Sequence, residues 1–484
     1  MISKKILISA ITAATMISVS ANAGELEDRI LKLEKTIADM KAQKAEDEEI
    51  IDELDERVSD VEFRSYTDKI SFGLGMRVES NHFTNTKLNG DKYSTTLNRI
   101  KVNINMKSKI ADDMKFVGRL SMYKNWGDQT PRMTNLDYSQ GRRPNSSELY
   151  VERAYVDWLT NKGSTVPFTV SLGRLSTSDG PSYNIKEDTK RKGTFSALAY
   201  DWAMDGVILT ANLDKISSGT DVQFTYFTPS VQDNPKTISQ IGYDSGIDDT
   251  TVTGLIVNKT FKKLSFGNSF QAYYIPATDT TVTVPGTDTA SGNTETKNLG
   301  DMILTGAMME FTKINGNIDF FTHYAQNEAR PNGETISLKN GKSAGLLSAV
   351  PTATSTTVST DSIYGHAIWV GTRYHINKVW KVGAEYNKGS KNWFSFTVGS
   401  NDPVNKLAVR GEVTEVYVTK SINKYANIRV GYIDINVDNM NSGMIFGSPR
   451  SLTDPNVVAQ ADALSDAGVV SDSRNLYISF NLLF

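Results

Sequence analysis

Cysteine is absent from the 484 residues, which removes disulfides, thiolate metal sites, thiol catalysis and a lipid anchor on an N-terminal cysteine. Long hydrophobic runs are lacking as well. Beyond the first two dozen residues nothing approaches the apolar length of a membrane helix, so a helical membrane protein is excluded. A transmembrane barrel is not excluded by the low mean hydropathy of −0.34, because barrel strands alternate and hide from averaging. Histidine is scarce: His82, His323, His366 and His375 stand apart from any second ligand at metal spacing, and each reads as structural or solvent-facing. No nucleophile and base pair up either, so the expectation is no catalytic, metal or cofactor site. The formal charge of −3 is near neutral and gives no reason to expect nucleic acid as a partner.

What is present begins with a leader. Lys4 and Lys5 precede the apolar run Ile6 to Val19, followed by Ala21-Asn22-Ala23, which reads as a signal peptide over 1–23 with the mature chain starting at Gly24. From 24 to 65 the apolar positions step by four and three. Leu26, Ile30, Leu33, Ile37 and Met40 are followed, after Lys44 and Asp47 interrupt the seam, by Ile51, Leu54, Val58 and Val61. That heptad predicts an oligomerising coiled coil, its interruption fixing register. The seam nominally favours two strands. This segment carries seven Lys plus Arg against fifteen Asp plus Glu, whereas 66–484 carries 43 against 40. The acidity belongs to the stalk and reads as a solvated helix face.

After Tyr66 the period changes from seven to two, and the remainder, 66–484, reads as one all-β domain. Sixteen candidate strands follow, such as Ile70 to Val78 with Ile70, Phe72, Leu74, Met76 and Val78 on one face. Connections alternate in length. Short turns such as Ile110 to Met114, Lys313 to Asn317 and Ile422 to Lys424 alternate with long polar loops near 80–96, 126–148, 176–203, 229–250, 276–300, 326–362, 389–411 and 436–474. Short on one side and long on the other is the asymmetry of an outer-membrane barrel. Phe116, Phe168, Phe266, Phe320, Trp380 and Tyr425 recur beside the turns, where an aromatic girdle meets the interface.

The wet parity of the early strands carries Arg99, Lys101, Asn103, Asn105 and Lys107, then Arg119, Ser121 and Tyr123, then Arg153, Tyr155 and Asp157. Facing lipid, such cations would cost roughly 2 to 4 kcal/mol each at mid-membrane, so Arg99, Lys101, Arg119 and Arg153 are expected to line a hydrated lumen. The third long loop holds Asp179, Lys186, Glu187, Asp188, Lys190, Arg191 and Lys192. The last strand, Arg474 to Phe484, sets Leu476, Ile478, Phe480, Leu482 and Phe484 on the oily face and Tyr477, Ser479 and Asn481 on the other.

A final strand of this kind resembles the signal by which outer-membrane barrel proteins are recognised by their assembly machinery, carried here by Tyr477, Phe480, Leu482 and Phe484. In architecture the chain resembles the general porins, in which the third loop folds into the lumen and its acids face arginines opposite. The resemblance implies Asp179, Glu187 and Asp188 opposing Arg99, Lys101, Arg119 and Arg153 across a constriction, and a trimer rather than the dimer the seam favours. The runs Ser121-Met122-Tyr123-Lys124-Asn125-Trp126, Gly141-Arg142-Arg143-Pro144, Val151 to Trp158 and Ser178-Asp179-Gly180-Pro181-Ser182 resemble an outer-membrane family known as domain of unknown function 3373. A coiled coil ahead of a barrel also resembles certain sugar porins and envelope-tethering porins.

The sequence therefore predicts a sixteen-stranded antiparallel outer-membrane β-barrel with a periplasmic coiled coil. The expected function is a passive pore for small hydrophilic solutes or ions, its partners being outer-membrane lipid, those solutes and further copies of the chain. The alternative is a structural protein whose stalk, roughly 50 Å long at 1.5 Å per residue, reaches peptidoglycan. An outer-membrane hydrolase comes third, for want of a catalytic set.

Overall fold

Strands that are oily on one face and polar on the other must hide two unpaired edges as well as an apolar surface, and closing the sheet on itself does both. In a computed structural model, which describes residue 32 and residues 70–483 apart from 127–148, 181–182, 192, 194, 232–245, 262–267, 286–293, 338–342, 349–357, 398–401 and 467, the sheet is a closed antiparallel barrel. The chain divides into two units, Met1–Ser71 and Phe72–Phe484. In the first, Lys32 is helical and exposed. The signal peptide and the seam positions Leu26, Ile30, Leu33, Ile37, Met40, Ile51, Leu54 and Val58 lie outside the described residues.

The barrel strands are β1 (Ser71–Lys87), β2 (Lys92–Ala111), β3 (Met114–Asn125), β4 (Tyr150–Thr160), β5 (Phe168–Ser178), β6 (Asp201–Asn212), β7 (Thr220–Ser230) and β8 (Thr250–Phe261). They continue with β9 (Asn268–Thr278), β10 (Gly300–Ile314), β11 (Ile318–Pro331), β12 (Ile363–His375), β13 (Trp380–Gly389), β14 (Gly411–Ser421), β15 (Ala426–Val437) and β16 (Val470–Leu483). Each pairs with its sequence neighbour, and β16 closes on β1 from Gly75↔Leu483 to Lys87↔Val470. Every strand expected from the period of two has its counterpart.

The first loop departs from expectation. Instead of spanning 80–96, the connection is 88–91, with Gly90 at φ 91° and its N–H donating to the Lys87 carbonyl at 3.0 Å. Polar composition suggested a loop there, but Thr84, Thr86, Thr95 and Thr96 are β-branched and sustain a ladder beyond the rim; the Thr84 and Ser94 hydroxyls meet at 3.2 Å across it.

Outward positions are apolar and exposed, among them Phe72, Leu172, Phe224, Leu255, Ile368 and Ile478. Phe320, Trp380 and Tyr425 are exposed beside the turns, with Phe116 and Phe168 half-buried there, and Trp126, Tyr150 and Tyr364 form a second exposed aromatic set at the loop rim. Phe266 and Phe484 lie outside the described residues. No helix among the described residues is long and apolar enough to cross a membrane.

The interior is not uniform. Beside β8 to β12 the inward side chains Ile256, Tyr273, Leu304, Phe321 and Trp369 are apolar, and they pack against Leu198 and Tyr200 of the third long loop, Leu299 of the fifth, Leu346 of the sixth and Trp393 of the seventh. Tyr200 reaches Tyr273, in the middle of β9, with ring centroids 5.1 Å apart. Loops thus fill that side of the barrel. Inward glycines serve the packing: a Cβ on Gly383 or Gly431 would occupy the rings of Tyr417 and Tyr477, so glycine lets both rings lie flat along the wall.

Candidate functional site in the lumen

On the side formed by β1 to β4 the interior is ionic. Arg99, Lys101, Arg119 and Arg153 all turn inward and are only 6 to 8% exposed. Their partners come from the same strands. Arg99 binds Glu79 through Nε, while Glu152 receives Arg119 Nη1 at 2.9 Å, Arg153 Nη2 at 3.0 Å, Lys101 Nζ at 3.7 Å and the Ser121 hydroxyl at 2.5 Å. Strict alternation would aim Glu152 at lipid if Arg153 points inward. The register jumps here, Arg119 pairing Arg153 and Leu120 pairing Val151, so Glu152 is the extra residue of a β-bulge. The bulge puts two adjacent side chains on one face and delivers the carboxylate to its cations.

The third loop, 179–200, crosses the lumen. Its base is fixed by Asp179, which is fully buried and accepts the Leu198 and Ala199 N–H groups at 3.1 and 2.7 Å and the Tyr273 hydroxyl at 3.1 Å. Burial pushes its carboxyl up to about 6, against the pull of those donors and of Arg191. His323 Nε2 stands 3.1 Å from the Tyr273 hydroxyl and 3.5 Å from Asp179. The loop's midpoint is a short hairpin, Tyr183–Asn184 against Thr189–Lys190, held to β10 by the Tyr183 N–H donating to Glu310 at 3.2 Å.

The hairpin tip reaches the far wall. Glu187 binds Arg77 of β1 and, at 3.2 Å, Arg429 of β15. Asp188 binds Arg373 of β12 at 2.8 Å and Lys381 of β13, and accepts the Tyr183 hydroxyl at 2.9 Å. Lys186 Nζ meets Glu415 of β14 at 2.6 Å. Burial alone would raise the Glu187 carboxyl, but Arg429 and Arg77 outweigh it and hold it at about 2; Arg373 and Lys381 likewise hold Asp188 below the usual carboxylate range.

The pairing expected from the porin resemblance is therefore not the one that forms. Asp179 makes no constriction pair, and Glu187 and Asp188 face Arg77, Arg429, Arg373 and Lys381 rather than Arg99, Lys101, Arg119 and Arg153. The reason is that Glu79 and Glu152 already engage the latter four. Lys190 is exposed, Arg191 turns back on its own loop to Ser178 Oγ and the Ser196 carbonyl, each at 3.1 Å, and Lys192 lies outside the described residues. Tyr477, grouped with Phe480 and Leu482 as a terminal signal, points inward and donates to Glu415 at 2.6 Å.

Sequence reasoning foresaw the seventh loop but no site residue in it. Lys406, 1% exposed, sits between Glu385 at 2.6 Å and Glu415, and these acids raise its ammonium above the usual value despite burial. Arg410, fully buried, donates to the carbonyls of Trp393, Met440, Asn441 and Met444 at 2.7 to 3.2 Å, which ties the seventh loop to the eighth. Burial without an acid lowers its guanidinium to about 9. A charge in a polar loop gave no signal that it would be buried.

Below the loop tip, on the turn side, a cavity of about 220 Å³ remains, bounded by Arg77, Lys101, Asn105, Arg119, Glu187 and Asn481 among others. No cluster of three metal-ligating side chains occurs among the described residues.

The family described as protein of unknown function (DUF3373) matches residues 90–484. The chain belongs to this family. The DUF3373 match begins within the turn after β1, so it takes in β2 to β16 together with every loop after the first. No curated protein matches the chain. Among solved structures it is similar to Pseudomonas putida OprB, at 12% identity over 86% of this chain and 94% of that one with a TM-score of 0.49. It is also similar to Salmonella typhi OmpF in complex with daunomycin, at 14% over 87% and 99% with 0.46, and to the outer membrane protein OmpT of Vibrio cholerae, at 14% over 86% and 98% with 0.44. Likenesses this distant add nothing to what the barrel's own topology shows.

Proposed function

We propose that this protein is an outer-membrane channel through which small hydrophilic solutes or ions diffuse passively along the polar side of the lumen. The observation that carries the reading is the cavity between the ionic wall of β1 to β3 and the tip of the third loop, at the level where a permeant must leave toward the turns. A solute that pairs transiently with such walls recovers part of its lost hydration and can still depart. The apolar outer surface, the aromatic sets at both rims and the contrast of short turns with long loops support placement in an outer membrane with the turns toward the periplasm. Residues 24–65 then form the periplasmic coiled coil, and the assembly is a homo-oligomer, trimeric by analogy with general porins. Recognition by the barrel-assembly machinery falls to the outward Phe480 and Leu482 with Phe484. The function needs no cofactor and no catalytic step.

Single-channel recording of the refolded full-length protein in planar bilayers tests this. Discrete ohmic steps are expected; a silent membrane from protein that shows the heat-modifiable mobility of a folded barrel would sink the channel. Deleting Gly24 to Ser65 should leave the conductance intact, whereas a protein whose purpose is tethering through that stalk would weaken the envelope when it is lost.

A further inference from the structure

We infer that the cavity below the third loop binds a compact oxyanion, a small carboxylate or inorganic phosphate, and that the channel accordingly passes anions in preference to cations. Among the described residues, charge is balanced over most of the lumen: Lys186 and Lys406 share Glu385 and Glu415, Arg373 and Lys381 share Asp188 and Asp319, and Arg99 pairs with Glu79. Around the cavity it is not. Glu152 is the one carboxylate between Arg119 and Arg153, and Glu187 the one between Arg77 and Arg429. Each cluster keeps a surplus cation in a partly desolvated place, where a unit charge acts far more strongly than in bulk water.

The neutral groups are turned the same way. Arg119 Nε donates to Asn105 Oδ1 at 2.7 Å, and Arg77 Nε donates to Asn481 Oδ1 at 2.7 Å. A guanidinium can only donate, so each asparagine must present its oxygen to the arginine and is left with its NH2 group. Asn481 passes that group to Asn427 Oδ1 at 3.0 Å, which turns the Asn427 NH2 outward in its place. Asn105 and Asn427 both line the cavity. Their acceptors are occupied and their donors are not, the reverse of what a cation requires. The volume, about 220 Å³, is below the ~300 Å³ at which pockets for drug-sized ligands begin, which selects a small ion over an oligosaccharide.

The selectivity half of this inference rests on the channel reading; the binding half does not, and two measurements separate them. Titration calorimetry of the full-length protein in detergent, with phosphate in one arm and succinate in the other, should give heat of binding with at least one of them, and the responding arm names the ligand class. Reversal potentials under a potassium chloride gradient should show chloride more permeant than potassium. Asn105→Asp is isosteric, keeps a partner for Arg119 and neutralises the surplus, so the barrel folds; anion affinity should fall about tenfold or more, and the permeability ratio should move toward one. Asn481→Asp, beside Arg77, should act in the same direction. Binding with silent bilayers would retire the channel and keep the site. Absence of heat with both anions, a cation-selective reversal potential, or an unaltered ratio and affinity in both variants would overturn the inference.

Discussion

The two sides of the lumen solve one problem differently. Along β1 to β4 the inward Arg99, Lys101, Arg119 and Arg153 meet acids carried by the strands themselves, Glu79 and Glu152, while Arg77 meets Glu187 of the third loop. Along β8 to β12 the inward residues are Ile256, Tyr273, Leu304, Phe321 and Trp369, which water would expose at about 25 cal/mol per Å²; loops three, five, six and seven cover them. The first side is held by ion pairs and the second by apolar packing. The tip of the third loop joins them, because Lys186, Glu187 and Asp188 answer charges contributed by β1 and by β12 to β15. A barrel can thus be filled on one side by hydrophobic burial and keep an ionic wall with a cavity on the other.

The comparison breaks most readily at Glu152. Glu152→Gln leaves Arg119, Arg153 and Lys101 buried around a neutral amide, and urea unfolding in detergent should show a loss of about 3–5 kcal/mol that shrinks as salt screens the repulsion. Leu198→Ala, in the fully buried apolar contact of the third loop, should cost about 2–5 kcal/mol with no such salt dependence. Equal salt responses for the two variants would erase the distinction between the sides. The junction is read by pH. The Glu187 carboxyl is held at about 2 against an ordinary 4.5, so its contribution is present above 4.5 and lost as pH falls toward 2. Glu187→Gln should flatten stability in that window by up to about 3 kcal/mol. Asp179, pushed up to about 6, works in the opposite sense: its contribution is full below 3.8 and lost as pH rises through 6. The smallest effect belongs to Lys388→Gln, whose pair with Glu412 at 2.6 Å is exposed at the rim; it should leave unfolding unchanged within error.

Much of the barrel was legible because alternation, turn residues and loop length are local signals. The same rules placed Arg99, Lys101, Arg119 and Arg153 on the inner parity. Glu152 escaped them, since a bulge depends on the partner strand and leaves no mark in periodicity. The apolar interior left a mark that alternation alone does not interpret: Ala272-Tyr273-Tyr274-Ile275, Met302-Ile303-Leu304 and Phe320-Phe321 are apolar on both parities, which is the pattern of a strand buried on both faces. Lys406 and Arg410 sat in a loop that composition described as polar, and only the partners that folding brings to them, such as Glu385 21 positions before Lys406 and Met440 30 after Arg410, explain why burial is tolerated.

Sequence by itself determined the strand number, the order and pairing of neighbours, and which face of each early strand is wet, because hydrogen-bond ladders between adjacent strands and a two-residue repeat are decided over short spans of chain. Tertiary structure alone decided which acid answers which cation, how far the third loop reaches and which part of the lumen is filled. Those outcomes depend on groups brought within a few ångströms by closure of the barrel, and Coulomb attraction and hydrophobic burial act on distance in space and are indifferent to separation along the chain.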